Sequence, residues 1–225
     1  EVTLMEFDDP NYEIDLIYEN AYESETVLLK YQSLITPKTT FRYNCISGEK
    51  TLIHEVIIPE YNKDNYEMEY IYVTATDGSE IPVSILKSVE NTSLIETVPM
   101  NRTPIDRGYP IEQKNILIEG YGAYGLNMDC TFQCGILSLL DRGFTYAIAH
   151  VRGGDEKGYN WYLDGKMANK INTFTDFISV SEYFADEGYQ ISAVGRSAGG
   201  LLMGAVMTMR PELFHSILAG VPFVD

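Results

Sequence analysis

From residue 114 onward, the sequence alternates between short apolar runs and stretches long enough to form helices. Short apolar runs that end at glycine are typical of buried strands, and the longer stretches between them are typical of crossover helices. Parallel strands need such crossovers, because each connection has to return over one face of the sheet. The alternation therefore predicts an α/β sheet covered by helices. The predicted strands are "NILIEGY", "FTYAIAHV", "ISAVG" and "HSILAGV", and the predicted helices cover 130–143, 173–188 and 198–210.

The predicted helix over 173–188 has the clearest amphipathic pattern. Its apolar and small residues recur at helical spacing and would form one buried face. Gly188 follows the last of them and is expected to end the helix. The residues of this face are Phe174, Phe177, Ile178, Ser181, Phe184 and Ala185.

Residues 1 to about 60 have a different texture, in which short β-branched and aromatic runs are separated by turn residues. Runs spaced by roughly ten residues are typical of the strands of a sandwich, a barrel or a propeller blade. They amount to about one blade, which would not be stable alone. The polar segment 59–65 marks the predicted domain boundary and divides the chain into 1–63 and 64–225. The predicted strands are "VTLMEF", "EIDLIY", "TVLLKYQS", "TTFRYNC" and "KTLIHEVII".

Two further elements connect these regions. A β-hairpin is predicted over residues 66–87, with its turn at "DGS". The following segment, residues 88–113, contains three prolines and no clear period, which predicts a long loop.

The run "GRSAG", residues 195–199, matches the pattern G-x-S-x-G and lies between a predicted strand and a predicted helix. This context is that of the nucleophile elbow of α/β-hydrolases, a sharp turn that raises the serine hydroxyl above the carboxyl edge of the sheet. Its neighbours must be small so that the strand and the helix can approach each other. Ser197 is therefore the candidate nucleophile, and a purely structural glycine-serine turn is the alternative. The small neighbours are Gly195, Ala198, Gly199 and Gly200.

Groups at the same predicted edge could stabilise an oxyanion or contact a substrate. The backbone N–H of Ala198, at the start of the helix, is one expected oxyanion donor. The loop "EGYGAYG" offers the hydroxyl of Tyr121 as a second donor, whereas Tyr124 is expected to pack beneath the loop. The loop "HVRGG" carries Arg152, which either orders the loop through carboxylate pairs or contacts the substrate.

The chain contains three histidines: His54, His150 and His215. In α/β-hydrolases the nucleophile precedes the acid, and the acid precedes the histidine. Only His215 follows Ser197, and it precedes the final predicted strand. None of the three is therefore expected to be the base, and the triad Asp and His are expected beyond Asp225. The sequence starts without Met or a signal-like segment and reads as part of a longer protein, so we expect the 225 residues alone to be inactive.

Charge and composition narrow the choice of partners. With 16 Lys and Arg against 33 Asp and Glu, the net charge is −17. This balance argues against nucleic acid and is compatible either with cationic ligands or with solubility alone. No run approaches the roughly 18 apolar residues of a membrane span, so no membrane partner is expected. The three cysteines lack metal-ligand or disulfide spacing, which predicts no metal, no cofactor and a reducing, cytoplasmic location.

With these residues in view, the sequence resembles the prolyl oligopeptidase family of serine peptidases, and in particular its oligopeptidase B branch. The resemblance covers most of residues 35–87 and nearly all of 115–225. Its most specific part is "GRSAGGLLMG" together with "RPELF" and "VPFVD". The other matching stretches are "TPKTTFRYN", "YVTATDGSEIPVS", "GYGAYG", "YAIAHVRGG", "GYNWYLDGK" and "NTFTDF".

The resemblance implies a β-propeller that caps an α/β-hydrolase domain. The first 60 or so residues would be the last propeller strands, and the remainder the hydrolase core up to about its sixth strand. Family members cleave short peptides, and this branch cleaves after Lys or Arg. By motif, Ser197 is the nucleophile, and the Tyr121 hydroxyl and the Ala198 amide form the oxyanion hole. Asp129 matches a position that holds a second basic substrate side chain, but Thr131 replaces a second carboxylate found there.

Two other interpretations stay open. The same fold could serve an esterase or an aminopeptidase-like relative. Alternatively, the chain could be an inactive hydrolase-fold fragment or a binding protein. The blade-like strands and the Ala198 motif favour a peptidase over an esterase, and the retention of Ser197 and Tyr121 argues against decay. The oligomeric state is left open.

Overall fold

The computed structural model describes residues 5–17, 24–89 and 114–223 of the 225-residue chain. The N-terminal part forms a four-stranded antiparallel sheet in the order β1-β2-β3-β4. Four of the five predicted strands are therefore confirmed. The fifth is not: residues 5–7 have no regular structure, and residues 2–4 lie outside the described ranges. The strands are β1 (Glu13–Ile17), β2 (Thr26–Gln32), β3 (Thr39–Asn44) and β4 (Lys50–Glu55).

Side-chain contacts explain why the residues before β1 do not extend the sheet. Phe7 stacks on Tyr31 with ring centroids 4.7 Å apart. The buried carboxylate of Asp9 accepts hydrogen bonds from the hydroxyls of Tyr31 and Ser33 and from the ammonium of Lys63. This segment is thus fixed by its side chains rather than by a strand ladder.

A second, six-stranded sheet has the order β10-β9-β7-β8-β6-β5. Its four strands β8, β7, β9 and β10 are parallel, whereas β6 pairs antiparallel with both β8 and β5. The predicted α/β sheet and the predicted hairpin are confirmed. The strands are β5 (Tyr66–Thr74), β6 (Glu80–Ser88), β7 (Lys114–Gly120), β8 (Phe144–Ala149), β9 (Tyr189–Arg196) and β10 (Phe214–Gly220). The helices are α1 (Cys134–Leu140), α2 (Tyr159–Leu163), α3 (Lys170–Asp186) and α4 (Ala198–Met209).

Apolar residues cover both faces of this sheet, as parallel strands require. One face packs against α3 and α4, where Phe177 and Leu202 are fully buried between the helices and the sheet. The other face packs against α1 and against Leu34 and Ile35. The predicted buried face of α3 is correct in its centre, because Phe177, Ile178, Ser181 and Phe184 are all buried. Gly188 follows α3 with a φ of 86°, which suits the glycine predicted to end it.

The helix predicted over 130–143 is wrong at its N-terminal side. The residue before α1, Gln133, is extended, and the helix covers only Cys134–Leu140. Tertiary contacts hold the preceding residues: Phe132 packs edge-on against Tyr61, and the thiol of Cys130 accepts a hydrogen bond from Asn11. These contacts outweigh the weak helix propensity of the segment.

The remaining points concern the segment 88–113, membrane-spanning helices and the helix α2. The long loop predicted over 88–113 lies almost entirely outside the described residues. Among the described helices, none is long and apolar enough to cross a membrane. The sequence analysis did not predict the helix α2. In the structure, its Trp161 is buried and donates a hydrogen bond to the carbonyl of His150.

Candidate active site

Ser197 lies between β9 and α4, at the carboxyl edge of the six-stranded sheet. Its backbone has φ 56° and ψ −116°, a conformation that residues with side chains rarely adopt. Such a geometry costs on the order of 1–3 kcal/mol and persists only where its surroundings hold it. The end of β10 does so here: the Ser197 N–H donates to the carbonyl of Gly220, and the Ser197 carbonyl accepts from the N–H of Phe223, both at 2.9 Å.

The glycines around Ser197 lie at positions where two segments of backbone are in direct contact. A Cβ on Gly195 would lie 2.2 Å from the carbonyl oxygen of Gly199, and a Cβ on Gly199 would lie 2.6 Å from that of Gly120. A Cβ on Gly200 would lie 2.5 Å from Cα of Pro222. Each distance is shorter than any side chain could accept. The glycines therefore let the first turn of α4 rest directly on the ends of β7 and β10.

Two hydrogen-bond donors are positioned near this turn. Ala198 is the first residue of α4, so no intrahelical carbonyl can accept its N–H. Tyr121 follows β7, and its ring lies 3.5 Å from the position that a Cβ on Gly199 would take. Burial, with a smaller effect of nearby Tyr124, raises the pKa of the Tyr121 phenol. The hydroxyl therefore stays protonated at neutral pH and can donate.

Tyr124 does not pack beneath the loop, contrary to expectation. Its side chain is 65% exposed. The reason is its backbone, which has a φ of 60° and turns the side chain outward.

Arg152, on the loop that follows β8, is buried in a network of carboxylates. Its backbone N–H and its Nε donate to one oxygen of Asp176, and its Nη2 donates to the other at 2.5 Å. Its Nη1 donates to Asp77 at 2.6 Å. Pairing with Asp176, and next with Asp77, holds the pKa of Arg152 above its usual range. Burial raises the pKa of Asp176, and the hydrogen bonds and charge of the adjoining guanidinium oppose this rise.

This geometry favours loop ordering over substrate contact for Arg152, because its side chain is 5% exposed and its donors are occupied. Sequence reasoning missed the partners Asp176 and Asp77. One signal was present: a carboxylate at position 176 stands beside the apolar face of α3, where an unpaired charge would be costly.

No hydrogen bond joins any of the three histidines to Ser197 in the described part of the chain. His54 is on β4 of the other sheet, and the imidazole of His215, at the opposite end of β10, bonds Gln190 at 2.9 Å. His150 follows β8 and lies 2.8 Å from the hydroxyl of Ser84. In the described part of the chain, no group of three or more potential metal ligands is found.

Asp129, the candidate substrate-binding acid, is exposed on the loop between β7 and α1. It contacts the side chain of Glu13 on β1, and so joins the two sheets. Burial raises the pKa of Glu13 to about 7, with further contributions from its hydrogen bond with Asp129 and from the charge of Asp129. The Glu13 carboxyl group is therefore partly protonated near neutral pH.

A serine on a strained turn between strand and helix, at the carboxyl edge of a largely parallel sheet, has the geometry of the nucleophile elbow. The fold and this turn define a protein of the α/β-hydrolase class.

Comparison with known proteins specifies the family. Residues 131–225 match the model described as the prolyl oligopeptidase family. The chain is 38% identical to Protease 2 of Moraxella lacunata, over 100% of its own length and 31% of that protein. It is 40% identical to dipeptidyl aminopeptidase BI of Pseudoxanthomonas mexicana, over 97% of this chain and 28% of the relative.

Solved structures agree with this assignment. Oligopeptidase B from Trypanosoma brucei, in a closed form with covalently bound antipain, matches with a TM-score of 0.82 at 35% identity, over 98% of this chain and 30% of that one. The chain belongs to the prolyl oligopeptidase family, as predicted. It spans less than a third of the length of these relatives, which are peptidases.

Proposed function

We propose that this chain forms the nucleophile-bearing part of a cytoplasmic serine peptidase that hydrolyses short peptides after Lys or Arg. The observation that carries the proposal is the backbone of Ser197, which is held at φ 56° and ψ −116° at the start of α4. A structure keeps such strain where it places a reactive group. No cofactor or metal takes part in this chemistry.

The reaction follows from the groups around Ser197. The Ser197 hydroxyl attacks the scissile carbonyl, while a histidine takes its proton and later gives it to the leaving amine. The negative charge that develops on the carbonyl oxygen is stabilised by the N–H of Ala198 and the hydroxyl of Tyr121. Water then releases the acyl group from Ser197. The histidine and its aspartate lie beyond Asp225 in this proposal, so the 225 residues alone would be inactive.

The negative charge of the chain supports a preference for peptides with basic side chains. The net charge is −17, and Asp129 stands exposed on the loop after β7, next to Glu13. Asp129 would contact a second basic side chain of the peptide, whereas Thr131 would offer no second carboxylate. We therefore expect a weaker dibasic preference than two acids would give. Arg152 acts as a positioning residue for its loop.

The four-stranded N-terminal sheet would be the last part of a propeller that restricts access to short peptides. Its simple meander, β1-β2-β3-β4, has the order of a propeller blade. The change from one sheet to the other falls between Glu55 and Tyr66, which supports the boundary near residue 63. The remaining sheet would continue beyond β10.

A second candidate is an aminopeptidase-like activity, favoured by the 40% identity to dipeptidyl aminopeptidase BI. An endopeptidase accepts peptides with a blocked amino terminus, whereas an aminopeptidase requires a free one. An esterase or an inactive binding protein is a weaker candidate.

The test uses the full-length protein that contains this chain. We expect a fluorophosphonate to label Ser197 and N-blocked fluorogenic Arg or Lys peptides to be hydrolysed. Ser197→Ala should abolish both, and Ser192→Ala, on β9 of the same sheet, serves as the control. Hydrolysis of only free-amino peptides would favour the aminopeptidase, and labelling without peptide turnover the esterase. If the folded full-length protein, with its Asp and His present, does not react with the fluorophosphonate at Ser197, the proposal is wrong.

A further inference from the structure

The loop that carries Tyr121, residues 121–125, is tied to the start of α3. Lys170, the first residue of α3, donates a hydrogen bond from its ammonium group to the carbonyl oxygen of Gly122 at 2.5 Å. In the described part of the chain, no N–H of a loop or turn donates to this carbonyl. The same ammonium also bonds the hydroxyl of Thr173 at 3.3 Å. Lys170 therefore holds the residue that directly follows the proposed oxyanion donor.

The peptide unit of Gly122 has little room to move. A Cβ on Gly153 would lie 2.1 Å from its carbonyl oxygen, and a Cβ on Gly122 itself would lie 2.4 Å from Cγ2 of Thr173. Gly122 has a φ of 64°, which glycine adopts more readily than other residues. The N–H of Gly125 donates to the carbonyl of Gly153 at 2.9 Å. Because these contacts are so close, a shift of Gly122 would also displace Tyr121.

Two more residues of α3 hold the neighbouring loop after β8. The hydroxyl of Thr173 donates to the carbonyl of Arg152 at 2.6 Å. Asp176 accepts from the backbone N–H of Arg152 at 3.0 Å and from its guanidinium group. Lys170, Thr173 and Asp176 are spaced by three residues, so they lie near one another along one side of the helix. This side of α3 thus fixes both loops at the carboxyl edge of the sheet.

Lysine is an unfavourable residue at this place in a helix. The N-terminus of a helix carries a partial positive charge, so a cation in its first turn is disfavoured. Burial lowers the pKa of Lys170 to about 8, and no carboxylate of the described residues forms an ion pair with it. Natural proteins break such local rules mainly at functional sites. The contact of Lys170 with the Tyr121 loop is therefore a candidate for a functional role.

Tyr121 is held on its other side by α4. A Cβ on Gly199 would lie 3.4 Å from Cα of Tyr121 and 3.5 Å from its Cδ2. Gly199 is in the first turn of α4, which begins directly after Ser197. The position of the phenol relative to Ser197 therefore depends on contacts with both helices.

We propose that Lys170 is a positioning residue of the oxyanion hole, which holds the Gly122 carbonyl and thereby keeps the Tyr121 hydroxyl in place. This role rests on the proposed peptidase function, in which Tyr121 is an oxyanion donor. Lys170 does not contact the substrate. An oxyanion donor must lie within hydrogen-bond distance of the developing charge, and a misplacement of about 1 Å can lower a rate by about 10²-fold.

The first test is steady-state hydrolysis of an N-blocked Arg peptide by the full-length protein. Rates are divided by the concentration of Ser197 that a fluorophosphonate labels at completion, so unfolded protein does not count. Lys170→Met keeps most of the aliphatic stem and removes the ammonium group. We expect kcat to fall by about tenfold or more while KM changes by less than about twofold, since the lost interaction acts in the transition state.

A control and a second variant accompany Lys170→Met. Lys114→Met removes a lysine that donates to the carbonyl of Glu187 at the opposite end of β7, and it should keep the parental kcat. Lys170→Gln keeps a polar group that is one bond shorter than the lysine, so it serves if Lys170→Met folds poorly. The same fall in kcat is expected. If both Lys170 variants keep the parental kcat, the proposal is wrong.

A double-mutant cycle tests whether Lys170 acts through Tyr121. In a Tyr121→Phe background the hydroxyl is already absent, so Lys170→Met should change kcat by less than about twofold further. If the two effects multiply instead, Lys170 acts on another part of the site and the proposal is wrong.

A spectroscopic measurement needs no catalysis. The ring signals of Tyr121 in ¹³C-tyrosine-labelled protein, assigned from their loss in Tyr121→Phe, should shift in Lys170→Met and stay in place in Lys114→Met. Unchanged signals in Lys170→Met would overturn the proposal. A shift in a protein whose Ser197 is never labelled would refute the peptidase function and still support the contact with Lys170. Multiplying effects in an active enzyme would refute only the role of Lys170.

Discussion

At the scale of single residues, the site depends on backbone geometry that side chains normally avoid. Ser197 and Tyr124 both have φ near 60°, and each is turned outward as a result. For Ser197 this exposes the hydroxyl at the edge of the sheet. Tyr121, three residues before Tyr124, is instead half-buried against the first turn of α4. The two tyrosines of one loop therefore form a natural pair for comparison.

Replacing Tyr121 by Phe removes one proposed oxyanion donor and keeps the ring. We expect kcat for peptide hydrolysis to fall by about 10²-fold or more, because the transition state loses a hydrogen bond that the substrate does not make. KM should change little. Tyr124→Phe alters a phenol that is 65% exposed and should leave kcat unchanged. Equal effects of the two substitutions would assign the oxyanion donor elsewhere.

At the scale of elements, the packing of α4 against the sheet requires glycine at some positions and not at others. Gly199 and Gly204 lie on the same helix. A Cβ on Gly199 would clash with the carbonyl of Gly120, whereas no atom lies within 4 Å of a Cβ on Gly204. The helix thus offers a substitution and its control within two turns.

Gly199→Ala should destabilise the protein by about 1–3 kcal/mol, as overpacking typically does. It should also slow fluorophosphonate labelling, because α4 must move away from the end of β7. Gly204→Ala should be neutral or stabilise by about 0.5–1 kcal/mol, since alanine favours a helix interior over glycine. Urea unfolding and labelling rates measure both effects. A Gly199→Ala protein of normal stability would mean that α4 does not rest on β7.

At the scale of the whole molecule, the two sheets meet through Glu13 and Asp129. The folded-state pKa of Glu13 is about 7, above its ordinary value of 4.5. The stabilising contact is therefore fully present below pH 4.5 and is lost as the pH rises through about 7. Above that pH, the ionised Glu13 carboxylate is disfavoured by its burial and by the charge of Asp129.

We expect Glu13→Gln to be more stable than the unmodified protein at pH 8.5 and about equally stable at pH 4. Glutamine resembles the protonated acid and cannot acquire the charge. Urea midpoints in an amine-free buffer measure the difference, with Glu55→Gln as the control. A stability difference that is the same at both pH values would show that Glu13 does not titrate at this joint.

The sequence by itself determined the alternation of the second sheet, the hairpin over 66–87 and the turn at Ser197. These features follow from local rules, because side-chain periodicity and glycine placement restrict the backbone within a few residues. The strand "ISAVG", the glycines and the following helix are contiguous in the sequence. The turn at Ser197 could therefore be predicted without knowledge of any long-range contact. The motifs shared with the prolyl oligopeptidase family could be recognised for the same reason, because each is a contiguous stretch of sequence.

The tertiary structure alone decided which distant groups meet. Arg152 finds its carboxylates 24 and 75 residues away, and His150 contacts Ser84 across 66 residues. The start of α1 was mispredicted because Asn11 and Tyr61 hold the residues before it. The cavity of about 170 Å³ lined by Tyr12, Tyr70 and His150 could not be predicted either, since its walls come from separate parts of the chain. Local steric restrictions on the backbone depend on residues that are neighbours in the sequence, whereas charge pairs and cavities form only when folding brings remote segments together.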